Sequence, residues 1–248
     1  MTRPEGYQRY ISVVQSQLDA AMNDRVTTAV TIAAELIADR IVAGGVLFAF
    51  GASHAGLLIQ DQFYRAGGLV PIQPILPAEL MLNVTPITAT SVREQTLGVA
   101  EHILTDVPLG EGDLLLIVSV SGRNPVPVEM CTLAQQRGAT VIALTNTTYS
   151  SSVGGRGVPR LFEVADVVID LPGVVGDAAI RLTPGVPPVG PTSSSVGAAI
   201  LHGLMVETAM LLIQRGVDPP VFASANLDDS AAWNSRWIEA YRDRLDYL

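Results

Sequence analysis

Lysine is missing from this 248-residue sequence, and all 15 basic residues are arginine. Its absence excludes a Schiff-base lysine and any phosphate loop of the GxxxxGK(S/T) type. Cysteine is almost missing too. The single Cys131 leaves no intramolecular disulfide framework and no multi-cysteine zinc site. It reads as a small buried apolar residue, because no nearby histidine on its helix would activate a thiolate. Aromatics make up only 5% of the chain, so the core must pack on Val, Leu, Ile and Ala. Positive charge is scarce: 24 acidic against 15 basic residues give a net charge of −9. That is the wrong sign for a surface that follows a phosphate backbone, and nucleic acid is not an expected partner. The three histidines are scattered with no HExxH spacing, so no metal is expected.

What is abundant is aliphatic residue. Hydrophobic residues are 48% of the chain and the mean hydropathy is +0.36, enough to bury a large core. The longest nearly apolar stretch, residues 196–213, contains His202 and Glu207. A carboxylate near the middle of a spanning helix costs about 2.5–3.5 kcal/mol, so the stretch reads as a buried core helix and no membrane is expected as a partner. The opening MTRPEGYQRY has no apolar signal segment, and a cytoplasmic location is expected.

Apolar residues at Ile11, Val14, Leu18 and Met22, and again at Val30, Ala33, Ile37 and Ile41, recur at helical steps and predict two amphipathic helices before the first strand. The continuous apolar runs at 46–50 (VLFAF), 113–119 (DLLLIVS), 140–145 (TVIALT) and 166–170 (DVVID) read as strands covered on both faces. Residues 70–75 (VPIQPI), with two prolines, read as an edge strand. Helical segments at 55–66, 93–104 and 127–137 alternate with these strands. The economical architecture is α/β: a doubly wound three-layer sandwich around a five-stranded parallel sheet of flavodoxin-like order. Residues 1–248 read as a single domain, with 1–43 as an N-terminal helical extension and 44–248 as the sheet-containing core. The Pro/Gly-rich segment 182–191 reads as a loop leading into a long helix at 193–214.

In such a sheet the ligand lies beyond the carboxyl ends of the strands, and the loops there are rich in small polar residues. The first is Gly51-Ala52-Ser53-His54-Ala55-Gly56, where Gly51 permits a tight turn. Its spacing is not GxGxxG, which disfavours a nicotinamide, and no cofactor is expected. The second is Ser119-Val120-Ser121-Gly122-Arg123-Asn124-Pro125, the third Thr145-Asn146-Thr147-Thr148, and the last Thr192-Ser193-Ser194-Ser195 at the start of the long helix. Any one of them reads readily as turn and cap chemistry. Together at one sheet edge they describe a polar pocket suited to a phosphorylated small molecule.

The motifs FGASHAG (50–56), QFYRAGGLVP (62–71), LIVSVSGRNPVPVEM (116–130), GATVIALTN (138–146), GDAAI (176–180), VGPTSSSVGAAIL (189–201) and GVDPPVFASANLD (216–228) carry a resemblance. The chain resembles the sugar isomerase (SIS) domain family, in particular its single-domain phosphosugar isomerase branch, over nearly its whole length. The resemblance implies a phosphorylated sugar or sugar derivative as ligand, and self-association as a homodimer or tetramer with sites near the subunit interface. It implies phosphate binding by Ser119 and Ser121 with Asn124 beside them, and by Thr192, Ser193 and Ser194. Gly51, Ser53, Gly122, Arg123 and Thr145 complete the expected ligand-binding set. The first loop departs from the family pattern, with Ser53 where a glycine is common and Ala55 where a serine is common. One phosphate-binding hydroxyl is therefore missing or has moved to Ser53.

Aldose–ketose isomerisation needs a base and an acid. His54, at a helix start in the first loop, and Glu94 are the expected pair. The resemblance favours Glu94, since SIS isomerases have a glutamate on the helix between the second and third strands. The segment Thr90-Ser91-Val92-Arg93-Glu94 reads equally as a helix cap with an acidic first turn, and Glu79 is the reserve base. The expected function is an aldose–ketose phosphosugar isomerase working by Glu/His proton transfer. The alternatives are a non-catalytic phosphosugar sensor and a sugar-phosphate etherase or lyase.

Overall fold

The computed structural model describes residues 4–248. Two helices open it, α1 (Glu5–Ala20) and α2 (Asp24–Val42). The break between them is made by Asn23, whose side chain accepts a hydrogen bond from the Val26 N–H at 3.0 Å and caps α2. The chain then alternates: β1 (Leu47–Gly51), α3 (His54–Gln60), β2 (Ile72–Ile75), a 3-10 turn (Ala78–Leu80), α4 (Thr88–Glu94), α5 (Val99–Leu104) and β3 (Leu114–Val118). It continues through α6 (Pro125–Gln136), β4 (Thr140–Thr145), α7 (Thr147–Ser152), α8 (Leu161–Val164) and β5 (Val167–Asp170). A short antiparallel pair, β6 (Ala178–Ile180) and β7 (Val189–Pro191), precedes α9 (Ser193–Gln214) and α10 (Ser230–Tyr241).

The five main strands are parallel in the order β2-β1-β3-β4-β5, the expected flavodoxin-like sheet. Because strand side chains alternate between faces, the apolar runs fill two cores at once. Phe48 and Phe50 of β1 and Leu115 and Ile117 of β3 pack toward α5, α6 and α10. Leu47, Ala49, Leu114 and Leu116 pack toward α2, α3 and α9. Both layers are apolar, and each fully buried leucine or isoleucine contributes about 1.5–3 kcal/mol.

β2 lies at an edge, where Pro74 removes no ladder hydrogen bond that the sheet needs. The C-terminal segment covers this edge: the Asp246 N–H donates to Gln73 Oε1 at 2.9 Å and the Tyr247 hydroxyl to the Val70 carbonyl at 3.1 Å. α9 is long and apolar enough to cross a bilayer by length and composition, yet 44% of its most apolar window is buried, in the core it shares with α2.

Three expectations need correction. The helix expected at 93–104 is two helices, α4 and α5, separated at Gly98. Its apolar positions suggest one continuous face, but Gly98 takes a left-handed φ of +81° that a helix interior does not accept. The helix expected at 55–66 stops at Gln60. The segment expected to be all loop at 182–191 contains β7, paired with β6.

Candidate active site

The strand order reverses direction between β1 and β3, and their following helices go to opposite faces: α3 joins one core and α6 the other. Such a divergence opens a crevice at the carboxyl edge of the sheet. Gly51 and Val118 are register partners, so the Gly51–Gly56 loop and the Ser119–Asn124 loop start side by side, about 4.8 Å apart.

On the β1 side, a Cβ at Gly51 would lie 2.6 Å from the Ala55 carbonyl oxygen, so only glycine fits where strand turns into helix. Ser53 sits at φ +54°, ψ −124°, a strained conformation for a non-glycine residue. Its N–H donates to the Leu80 carbonyl at 2.7 Å and its hydroxyl caps nothing. His54 is exposed at the first position of α3.

On the β3 side, Ser119 is buried, while Ser121, Arg123 and Asn124 are half-buried. Gly122 turns the loop at φ +54°, with its would-be Cβ 2.7 Å from Thr145 Oγ1. Thr145 is fully buried beneath the loop, its hydroxyl oriented to the Val120 carbonyl at 3.4 Å; it supports the loop from below. Among the described residues, the N–H groups of Ser121, Gly122, Arg123 and Asn124 donate to no acceptor. The guanidinium Nε of Arg123 is buried without a partner. Unmet donors clustered at a strand-to-helix turn are what an anion would satisfy.

Glu94 is the last residue of α4, not the first of a helix, so the capping reading is overturned. Its half-buried carboxyl stands beside the Ser119–Asn124 loop. Burial pushes its pKa above the ordinary glutamate value, opposed by a hydrogen bond from the Asn124 side chain and by the positive charge of Arg156. Arg156 Nη1 in turn donates to Asn124 Oδ1. Sequence reading missed Arg156. Its signal is an arginine set in a glycine-rich loop, Gly154-Gly155-Arg156-Gly157, where no periodicity points to a contact. Among the described residues no hydrogen bond joins His54 to Glu94; the two approach the crevice from opposite sides.

The start of α9 is arranged differently from the other loops. Asp177 reaches back to it: Oδ1 accepts from the Thr192 and Ser193 N–H groups at 3.1 and 2.8 Å, and Oδ2 accepts from the Ser193 hydroxyl at 2.8 Å. The positive end of α9 is thereby met by a carboxylate of the chain itself. Thr192 is fully buried with its hydroxyl unpartnered, and Ser194 is exposed. Asp177 also escaped the sequence reading, because it caps a helix 15 residues further on.

Comparison with known proteins adds three findings. Residues 9–146 match the family model of the SIS domain. A UPF0309 protein of Shouchella clausii is 45% identical over 218 residues, covering 87% of this chain and 89% of the relative. A UPF0309 protein of Streptomyces coelicolor is 38% identical over 239 residues, covering 93% and 95%. The fold is shared with a phosphoheptose isomerase from Francisella tularensis (TM-score 0.56, 15% identity, 85% of this chain and 100% of the other). It is shared as well with an Escherichia coli CFT073 protein solved in complex with a phosphosugar (TM-score 0.52, 13% identity, 85% and 93%).

Proposed function

Because the chain belongs to the SIS-domain family, we propose that it is a cytoplasmic phosphosugar-binding enzyme, an aldose–ketose isomerase that moves a proton between adjacent carbons through an enediol. The observation that carries this reading is the position of Glu94. A half-buried carboxyl with a raised pKa stands beside a loop of free hydroxyls and unmet N–H donors. Phosphate would be held by Ser119, Ser121 and the N–H groups before α6, with Arg123 adding charge. That anchors the sugar chain with its carbonyl end toward Glu94. A base tuned toward neutrality both takes and returns the proton, and His54, across the crevice, would serve the carbonyl or ring oxygen. Ser53 and Gly51 shape the β1 wall. The phosphosugar complex of the Escherichia coli protein with this fold supports a sugar phosphate as ligand.

Self-association belongs to the same proposal. Val206, Met210 and Ile213 form one stripe along α9 at helical spacing and are 59, 49 and 62% exposed, a face that a second copy would cover.

The test is a thermal-shift scan against inorganic phosphate, phosphorylated pentoses, hexoses and heptuloses, and their unphosphorylated parents. A ligand at a hundred times its Kd adds about 2.7 kcal/mol, which for a domain of this size raises Tm by about 5–10 °C. One phosphosugar should do so, its parent should not, and Ser121→Ala should abolish the shift. That compound is then the substrate to assay for isomerisation. A scan in which nothing phosphorylated moves the transition removes the phosphosugar reading.

A further inference from the structure

Asn124 sits between a group that only donates hydrogen bonds and a group that, when ionised, only accepts them. Arg156 Nη1 donates to its Oδ1, so the amide nitrogen is the face left for Glu94, and the hydrogen bond that Asn124 makes to that carboxyl runs from Nδ2. The direction of the amide is thereby set by the chemistry of its two neighbours. A chain of this polarity, guanidinium to amide to carboxylate, orients the Glu94 side chain and stabilises its charged form against burial.

The loop that carries Arg156 is itself secured to the crevice. Arg160 donates to the carbonyls of Val153 and Gly154 and closes the loop on itself. The next residue, Leu161, gives its N–H to the Gly122 carbonyl at 2.8 Å. The turn that bears the serines and the loop that bears the arginine are therefore one hydrogen-bonded unit.

We propose that Arg156 is a positioning residue that holds Glu94, through Asn124, in the orientation and charge state of a general base. This rests on the reading of Glu94 as the base. Other charged groups are carried by the elements around α4: Arg93 on α4 itself, Glu79 on the 3-10 turn, Arg123 before α6, and Glu129 on α6, whose carboxylate accepts from the Gly98 N–H at 2.9 Å. Arg156 is the one whose charge acts on Glu94.

The experiment is a carboxyl-carbon NMR titration of the full chain labelled at glutamate, with the Glu94 resonance assigned by its loss in Glu94→Gln, beside an inorganic phosphate titration of the same variants. Arg156→Ala and Asn124→Ala should both move the Glu94 midpoint to higher pH. Arg156→Lys should recover part of the shift, and Arg93→Ala, which removes the same charge from the adjacent position, should leave it in place. Phosphate affinity should be unchanged by Arg156→Ala. Equal shifts from Arg156→Ala and Arg93→Ala, or none from either, overturn the proposal, as does a weakened phosphate affinity with an unmoved midpoint, which would make Arg156 a phosphate ligand. The titration needs no sugar, so failure of the phosphosugar reading in the thermal-shift scan leaves its outcome independent.

Discussion

Asp177 holds Ser193 by both of its functional groups: one carboxylate oxygen accepts the backbone N–H at 2.8 Å, the other the hydroxyl at 2.8 Å. The bond pair fixes the start of the longest helix to the loop that follows the sheet, and it does so from a residue at φ +68°. Substituting Asp177 by alanine should cost about 1–2 kcal/mol, the usual worth of an N-cap. Asp177→Gly loses the same cap but relieves a left-handed backbone that costs an L-residue roughly 1–2 kcal/mol, so it should be the milder variant. Urea denaturation at constant m-value reads the difference. Since the helix start already has its anion, neither variant should weaken phosphosugar binding; a large loss of the ligand-induced thermal shift would place the phosphate at α9 instead.

Gly122 makes a separate claim about the serine loop. Alanine there meets Thr145 Oγ1 at 2.7 Å, and Thr145 is fully buried and has nowhere to retreat. Gly112, in the turn before β3, has a similar φ of +75° but open space around it. Both Gly→Ala variants bear a left-handed backbone cost of about 1–2 kcal/mol. Gly122→Ala should in addition displace the loop and abolish the phosphosugar thermal shift, while Gly112→Ala should retain it. Equal retention by both would mean that the ligand does not use this loop.

Continuous apolar runs make the central strands readable, because a strand covered on both faces has no alternative use for such a run. The strand order follows from the alternation with helices. The interruption at Gly98 is not readable from periodicity, since Val99, Ala100 and Leu104 keep helical spacing with one another on either reading. The same periodicity places Glu94 at the opening of a helix, whereas it ends one. The serine loop is legible because hydroxyls concentrate in seven residues of chain. Arg156 and Asp177 are not, because each acts on a residue far along the sequence, Arg156 on Asn124 across 32 residues and Asp177 on Ser193 across 16. Polar contacts of that span leave no local pattern.

Cys131 tests the packing of α6 against the sheet. Its thiol is fully buried, and burial, aided by the charge of Asp166, pushes its pKa up to about 12. The native thiol therefore stays protonated and inaccessible at pH 8, and a disulfide reagent should label it only in denaturant, one equivalent per chain. Rapid labelling of the folded protein would show that α6 opens locally.

Glu94→Gln should separate stability from activity. The folded carboxyl has a pKa above its unfolded value, so near those values the native state binds more protons than the unfolded state. Stability then falls as pH rises through the folded pKa, the reverse of an ion-paired carboxylate. At neutral pH the wild type carries the cost of a buried charge that glutamine does not, and the variant should be the more stable protein there. Its advantage should shrink as pH falls through the window and vanish below the unfolded value, where wild-type Glu94 is protonated in both states. Isomerisation, by contrast, should drop by roughly two to four orders of magnitude with loss of the base. Paired denaturation curves at neutral and acidic pH read the first effect and turnover reads the second. A variant that is less stable at neutral pH, or that keeps its turnover, would show that Glu94 is held for its contacts rather than for its proton.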